Sequence, residues 1–331
     1  MNYYQLIWAA IILYCIVMYV VLDGFTLGTG MLTTLLSESE NDIAMSVILP
    51  TWDGNQTWLV LGFACLYGAF PLAFSILMPA LYLPLLIMGT ALLLRGVAFE
   101  FRLKSKEHRK RWSIVFALAA LIVTFIQGMI LGKFVQGFSL DTVHNIIVNQ
   151  HLLTPFSFFT GTALVIGYML LGSTRLILKT EGELRTKMYK VAGILATALS
   201  ACIFVVSVWT PFVHPDIAKI WLNLSLWPYL VTMPATTGAA FLLLAFGIFK
   251  KIDRIPYWSA VVMFLCPYVG FCVSAFPYII PYKLAYWQAA APDNALKFTL
   301  VGACIMLPVL TAYTFYSYHV FRGKVNEVLG Y

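Results

Sequence analysis

The sequence predicts an all-α integral membrane protein of about nine transmembrane helices, and three observations carry that prediction. Hydrophobic residues fill 61% of the 331 positions and charged residues only 11%, far below the roughly 25% charge of an average soluble domain. The apolar residues gather in windows of about 20, the length a helix needs to cross a bilayer. Between the windows lie short loops in which Lys and Arg are abundant on one side and sparse on the other, as membrane topology requires. No stretch is polar enough to fold apart in water, so residues 1–331 read as a single transmembrane domain.

The spans fall at 4–36, 53–78, 80–101, 112–134, 155–178, 189–210, 228–249, 257–280 and 297–321. The first exceeds what a bilayer needs, so it tilts or protrudes. Its leading segment has neither a basic n-region nor an A-x-A-like cleavage site and is expected to persist as a helix. Gly24 and Gly28 form a small-x-x-x-small pair in it, which reads as a close helix crossing. Pro71, Pro79, Pro84, Pro267 and Pro277 lie in or between spans, where neighbouring helices can satisfy the freed carbonyls. No internal repeat or low-complexity segment is visible.

Fifteen basic residues face one side. They are Arg102, Lys104, Lys106, Arg109, Lys110 and Arg111 after the third span, and Lys179, Arg185, Lys187 and Lys190 after the fifth. Lys250, Lys251 and Arg254 follow the seventh, and Arg322 and Lys324 lie in the tail. Only Lys133, Lys219, Lys283 and Lys297 face the other side. The asymmetry predicts an outside N-terminus and a cytoplasmic C-terminus. The net charge of +7 is therefore a topology signal, and no nucleic-acid partner is implied. The acidic loop SESEND is then cytoplasmic, because Asp and Glu count for little in the rule.

Ionisable residues at membrane depth are costly and mark function by default. Those in or at the ends of apolar runs are Asp23, Asp53, Arg95, Glu100 and Arg175. Asp23 lies about 19 residues into the first span, nearly 30 Å from the outer face at about 1.5 Å per residue. Asp53 opens the second span, in TWDGNQTW, and Arg95 and Glu100 close the third, so the four share one depth on the cytoplasmic side. Each has two readings. Asp53 is either the N-cap of its helix or a proton-uptake group; Asp23 is a polar packing seam or a relay; Arg95 and Arg102 snorkel to the interface, or Arg95 holds a carboxylate cluster. In the functional reading Asn55 and Gln56 bind water beside the carboxylates. Trp52 and Trp58 read as interfacial belt residues that position the segment.

Cys15, Cys65, Cys202, Cys266, Cys272 and Cys304 sit in apolar runs without a C-x-x-C pair, so they read as buried thiols and imply no metal site. His108, His144, His151 and His214 lie in loops and His319 near the end of the last span. A haem held within the bilayer calls for histidines deep in the spans, so this chain is expected to ligate none. No phosphate loop, H-E-x-x-H helix or Ser/His/Asp set is present.

The stretches VVLDGFTLGTGML (20–32), WDGNQTWLVLG (52–62), AFPLAF (69–74), LLLRGVAFEFR (92–102), LTPFSFFTGTALVIGYMLLGSTRLILKTEGEL (153–184), SAFPYIIP (274–281) and VFRGKV (320–325) together resemble subunit II of the cytochrome bd ubiquinol oxidase family, including its cyanide-insensitive branch. They run nearly end to end in the family's order. The resemblance implies two four-helix bundles plus one peripheral helix, in a bacterial cytoplasmic membrane. The implied partner is a similarly folded subunit I that carries two b-type haems and one d-type haem and oxidises quinol. Small single-helix accessory subunits and lipids complete the expected partners. Dioxygen is reduced to water, and subunit II supplies a hydrophilic path for cytoplasmic protons with Asp53 near its mouth. Asp23, Arg95, Glu100 and Asn55 are the other path residues, and Trp52, Trp58 and Thr26 position them. The sequence departs from many members at DGFT, where Thr26 replaces a second acid; a hydroxyl orients water but does not give up its proton at accessible cost.

The competing reading is a secondary transporter with an intramembrane carboxylate site, whose charges would gather at the bilayer centre within repeated halves. Here they gather at one face, which favours the oxidase subunit. A third reading is a pure assembly scaffold.

Overall fold

Helix after helix in this chain is bounded by a local signal that the sequence carries. Thr154 caps the helix that Pro155 begins, accepting from the Ser157 backbone N–H at 3.1 Å. Ser37 and Glu40 form a reciprocal capping box on the acidic loop, which satisfies two orphan backbone donors. The computed structural model describes residues 3–105, 107–141, 146–148, 151–221, 223 and 230–325. Lys106, His144 and the start of the 228–249 span lie outside the described residues.

The elements are α1 (Tyr3–Leu32), a 3-10 turn (Thr33–Leu35), α2 (Glu38–Ile48), α3 (Trp52–Ala69), α4 (Pro71–Ala80), α5 (Tyr82–Lys104) and α6 (Arg109–Gln136). After the hairpin of β1 (Ser139–Asp141) and β2 (Ile146–Val148) come α7 (Pro155–Lys179), α8 (Gly182–Val213), α9 (Pro215–Trp221), α10 (Thr232–Lys250) and α11 (Arg254–Ala275). A second hairpin, β3 (Tyr278–Ile280) with β4 (Leu284–Ala285), leads to α12 (Tyr286–Ala289) and α13 (Asp293–Val320). Both hairpins are antiparallel. Among the described residues eight helices are long and apolar enough to cross a membrane.

Packing sorts these helices as the resemblance implied. α1, α3, α5 and α6 pack into one four-helix bundle, and α7, α8, α10 and α11 into another, joined where α7 lies against α1 and α6. α13 is peripheral: it touches α1 and α3, and Leu296 alone among its residues is buried. The expected span at 53–78 is corrected. It breaks at Phe70, where Pro71 starts α4 at the first helical position. That placement suits a residue whose missing N–H would be unpaired there anyway. What remains of that span is α3, 18 residues or about 27 Å, which is not among those eight helices, while α4 packs against β2 and β3 at the end of the molecule that carries the hairpins.

The seam between the bundles is made by glycine. A Cβ on Gly28 would sit 1.7 Å from the Tyr168 carbonyl oxygen, and one on Gly172 2.4 Å from the Thr29 nitrogen. The small-x-x-x-small pair of the sequence is therefore a backbone crossing of α1 on α7. It buries every residue from Asp23 to Leu32, including the polar ones that form the site.

Candidate functional site

Asp23 and Arg95 each lie nine residues before the end of their helices, and because α1 and α5 run in the same direction the two positions meet at one depth. Both side chains have 0% exposure. Arg95 Nη1 donates to Asp23 Oδ2 at 3.1 Å and Nη2 to Asp23 Oδ1 at 2.9 Å, a two-pronged pair. Nη2 also donates to Thr26 Oγ1, and the Thr26 hydroxyl lies within hydrogen-bonding reach of the Asp23 carbonyl and carboxylate. The Phe116 ring lies 5.7 Å from the guanidinium carbon. Burying such a pair is tolerable because each charge is the other's hydrogen-bond partner. Thr26, where the resemblance expects a second acid, leaves the knot with one negative and one positive charge.

Arg95 therefore does not snorkel, and neither does Arg102. Arg102 is buried, donates through Nε to Ser113 Oγ at 2.7 Å and pairs with Asp42 at 2.8 Å. The long cationic stem that would reach for water finds an acid of the SESEND loop first.

A line of polar groups continues on the side of the knot away from the basic end. Tyr19, one turn before Asp23, accepts from Gln127 Nε2 at 2.6 Å, and the Tyr168 hydroxyl donates to Gln127 Oε1 at 3.1 Å. On the other side, Asn55 Nδ2 donates to the Leu22 carbonyl at 2.8 Å and its Oδ1 accepts from the Tyr318 hydroxyl at 3.0 Å. Asn55 thus stitches α3 to α1 and α13. Tyr19, Gln127, Tyr168 and Tyr318 were missed in the sequence. Gln127, an amide in the middle of an apolar span, was the available signal.

The structure does not bring Asp53 or Glu100 into this knot. Thr51, not Asp53, occupies the N-cap of α3, without a side-chain hydrogen bond. Asp53 is the second helical residue and is exposed, so the N-cap reading is corrected: a carboxylate there favours the helix through the dipole but closes no cap. Glu100 points outward and pairs loosely with Lys104, one turn on, at 3.9 Å. Trp58 is not an interfacial belt residue. It is 2% exposed, packs with Cys15 and Tyr19, and meets Tyr14 edge-on at 5.5 Å. Trp52 packs on Phe99 with the rings tilted and their centroids 4.9 Å apart, and covers Gly96, which positions α3 against α5.

Arg175, the fifth intramembrane charge, has a different setting. It is 9% exposed, and the rings of Phe25, Tyr257 and Tyr318 lie 4.8, 5.2 and 5.3 Å from its guanidinium carbon. Around it the basic end is tied by ion pairs. Asp42 also receives Arg109 at 3.1 Å, Lys187 reaches Glu40 at 2.8 Å, and Asp253 receives Lys324 at 2.7 Å, Tyr189 at 2.7 Å and Arg185 at 3.3 Å. Partial burial pushes the Glu40 and Asp253 carboxyls up. The bonds from Lys187 and the Ser37 backbone to Glu40, and from Lys324 and Tyr189 to Asp253, outweigh it and hold both below the usual range.

Among the described residues no histidine lies deep in a span, where a haem ligand would be needed. His108, His151 and His319 are exposed at helix ends or loops, and His214 stacks on Tyr282 at the hairpin end. Among the described residues no group of His, Cys, Asp and Glu could hold a metal ion.

Comparison with known proteins gives one answer. The family profile described as "Cytochrome bd terminal oxidase subunit II" matches residues 4–321. The chain is 24% identical over 364 residues to the cytochrome bd-I ubiquinol oxidase subunit 2 of Escherichia coli strain K12, covering 98% of this chain and 95% of that one. It is 27% identical over 336 residues to the cytochrome bd ubiquinol oxidase subunit 2 of Bacillus subtilis strain 168, covering 97% and 96%. The structure of bd oxidase from Geobacillus thermodenitrificans matches its fold with a TM-score of 0.79 at 14% identity, over 96% of this chain and 98% of that one.

Proposed function

Because this chain belongs to the cytochrome bd terminal oxidase subunit II family, we propose that it is the haem-free subunit of a quinol:dioxygen oxidoreductase and gives cytoplasmic protons a way in. The full-length match carries the oxidase reading. The haems, two of b type and one of d type, and the quinol site belong to the partner, subunit I. The charge asymmetry of the loops supports a cytoplasmic location for the basic end.

The polar line supports the proton role. Asp53 is the exposed carboxylate at the basic end and collects the proton from water. Asn55, two residues on, carries the polar line inward to the Leu22 carbonyl. Asp23 does not shuttle: both its oxygens are engaged by Arg95, so the pair fixes a local field and Thr26 aligns with it. Tyr19, Gln127 and Tyr168 extend the line toward the bundle seam. Glu100, exposed on the same rim, is a second collector. Trp52 and Trp58 hold α3 in register with α5 and α1. This division of labour separates the oxidase subunit from a transporter, which would bind cargo at a midplane site.

The test is Asp53→Asn and Asp53→Ala in the complex, read by haem content and quinol-driven oxygen consumption. Since Asp53 closes no cap, both variants assemble with full haem. Turnover falls several-fold in both, because neither amide nor methyl carries a proton. Unchanged oxygen consumption in the assembled Asp53→Asn complex would leave the chain as a scaffold and move proton uptake elsewhere.

A further inference from the structure

Arg175 stands at a cavity of about 390 Å³ at the basic end, between α7, the turn that links α2 to α3, and the end of α13. Three cations line it, Arg175, Lys179 and Lys324, and among the described residues the lining includes no acid. Two of the three are already engaged. Lys179 donates to the Phe321 and Gly323 carbonyls, and Lys324 pairs with Asp253 and Glu181. Arg175 makes no hydrogen bond among the described residues, and its Nε is buried without a partner. The Thr51 hydroxyl, in the same lining, is also buried and lies beside the Tyr318 hydroxyl. Val47, Pro50, Val320 and Val325 make an apolar side of the wall, and Ser46 in the same lining donates its hydroxyl to the Asp42 carbonyl.

A buried guanidinium with nothing to donate to is expensive, and among the described residues there are three ring faces but no acceptor. Rings stabilise the cation and fix its plane; they do not use its N–H groups. A guanidinium fork beside a hydroxyl, in a cavity with a cationic lining, matches the tetrahedral oxygens of a phosphate. Apolar wall on one side and cations on the other suit a membrane phospholipid at the cytoplasmic leaflet, where basic pockets between helices bind head groups.

We propose that this cavity is a phosphate site, in which Arg175 and Thr51 donate to the phosphate oxygens of a phospholipid head group or of free inorganic phosphate. The site is separate from the proton line and does not depend on it; Tyr318, which bonds Asn55 and faces Arg175, is the residue common to both.

The purified haem-bearing complex is stripped of lipid and titrated with phosphatidylglycerol or with diacylglycerol of the same chains, and the tightest bound molecule is counted by native mass spectrometry. In parallel, its thermal midpoint is followed with inorganic phosphate against chloride at equal ionic strength. Wild type is expected to hold one phosphatidylglycerol and no diacylglycerol. Arg175→Gln weakens it about tenfold or more, the scale of a lost charge-assisted bond, and Thr51→Val weakens it less. An unchanged haem spectrum shows that both variants are folded. If phosphate alone raises the midpoint of wild type but not of Arg175→Gln, the ligand is the free ion. Equal binding of phosphatidylglycerol by wild type and Arg175→Gln, with no Arg175-dependent phosphate shift, overturns the proposal. So does equal retention of diacylglycerol.

Discussion

Of the three arginines buried among the described residues, Arg95 and Arg175 are buried in opposite ways. Arg95 is matched within the chain: Asp23 takes both prongs of its fork, Thr26 takes a third bond, and the region is sealed by the α1–α7 crossing. Arg175 has the same chemistry and nearly the same burial, yet among the described residues three aromatic faces and no acid surround it, and a cavity opens beside it. The difference teaches that burial of a charge does not by itself say what the charge is for. A compensated charge belongs to the architecture, and removing half of it leaves the other half stranded. An uncompensated charge facing a cavity is satisfied from outside, and removing it strands nothing.

The largest effect that can break this contrast is the loss of Arg95. Arg95→Met leaves Asp23 buried and unpaired, at a cost of about 3–5 kcal/mol, and the variant is expected to yield little assembled complex when haem is quantified in membranes. Removing both partners sharpens the point. Asp23→Leu with Arg95→Met replaces the pair by apolar groups and should recover most of the assembly lost in either single variant; losses that simply add would show that the two side chains are not coupled.

A smaller effect is expected at the seam that seals the knot. Gly28→Ala forces α1 off the Tyr168 backbone, an overpacking of about 1–3 kcal/mol, which a lowered thermal midpoint of the complex would register. If the midpoint does not move, the crossing is looser than the close approach of Gly28 to Gly172 implies. The smallest effect is at the basic end. Asp253 and Glu40 are held below the usual carboxylate range in the folded chain. Their contribution is therefore present in full above the unfolded carboxylate range, near pH 4, and is lost as pH falls through the lower folded values. Amide protection factors in α2 and at the start of α11, with the intrinsic pH dependence of exchange divided out, should fall on acidification below about pH 4 and stay flat from pH 5 to 8; a fall in that neutral window would assign the ties to other groups.

The sequence made the bundle legible because spans and loop charges are local properties. It also made the knot half legible. An aspartate and an arginine inside apolar runs announce themselves, and their common depth follows from counting along each helix. What could not be read was orientation about the helix axis. Asp53 and Asn55 are two residues apart, yet one is exposed and the other is buried against α1. Trp58 looked like a belt residue because it sits near a span end, but the face it occupies is the one that meets α1. Arg102 looked free to reach water because its acid, Asp42, comes from a loop sixty residues earlier. The box around Arg175 draws its rings from α1, α11 and α13, and only tertiary packing assembles it. The break at Phe70 was available in the chain, since Pro71 is a strong helix starter, but an apolar run on both sides disguised it as one span.

The contrast between the two arginines is tested most directly by the thermal midpoint of the haem-bearing complex with Arg95→Met and with Arg175→Met, measured side by side in lipid-free detergent. Arg175→Met should stay within about 1 kcal/mol of wild type, the range of a substitution that strands no partner. Arg95→Met should fall far below it or fail to assemble. Equal losses from the two substitutions would contradict the account, because they would mean that Arg175 is compensated from within the chain as fully as Arg95.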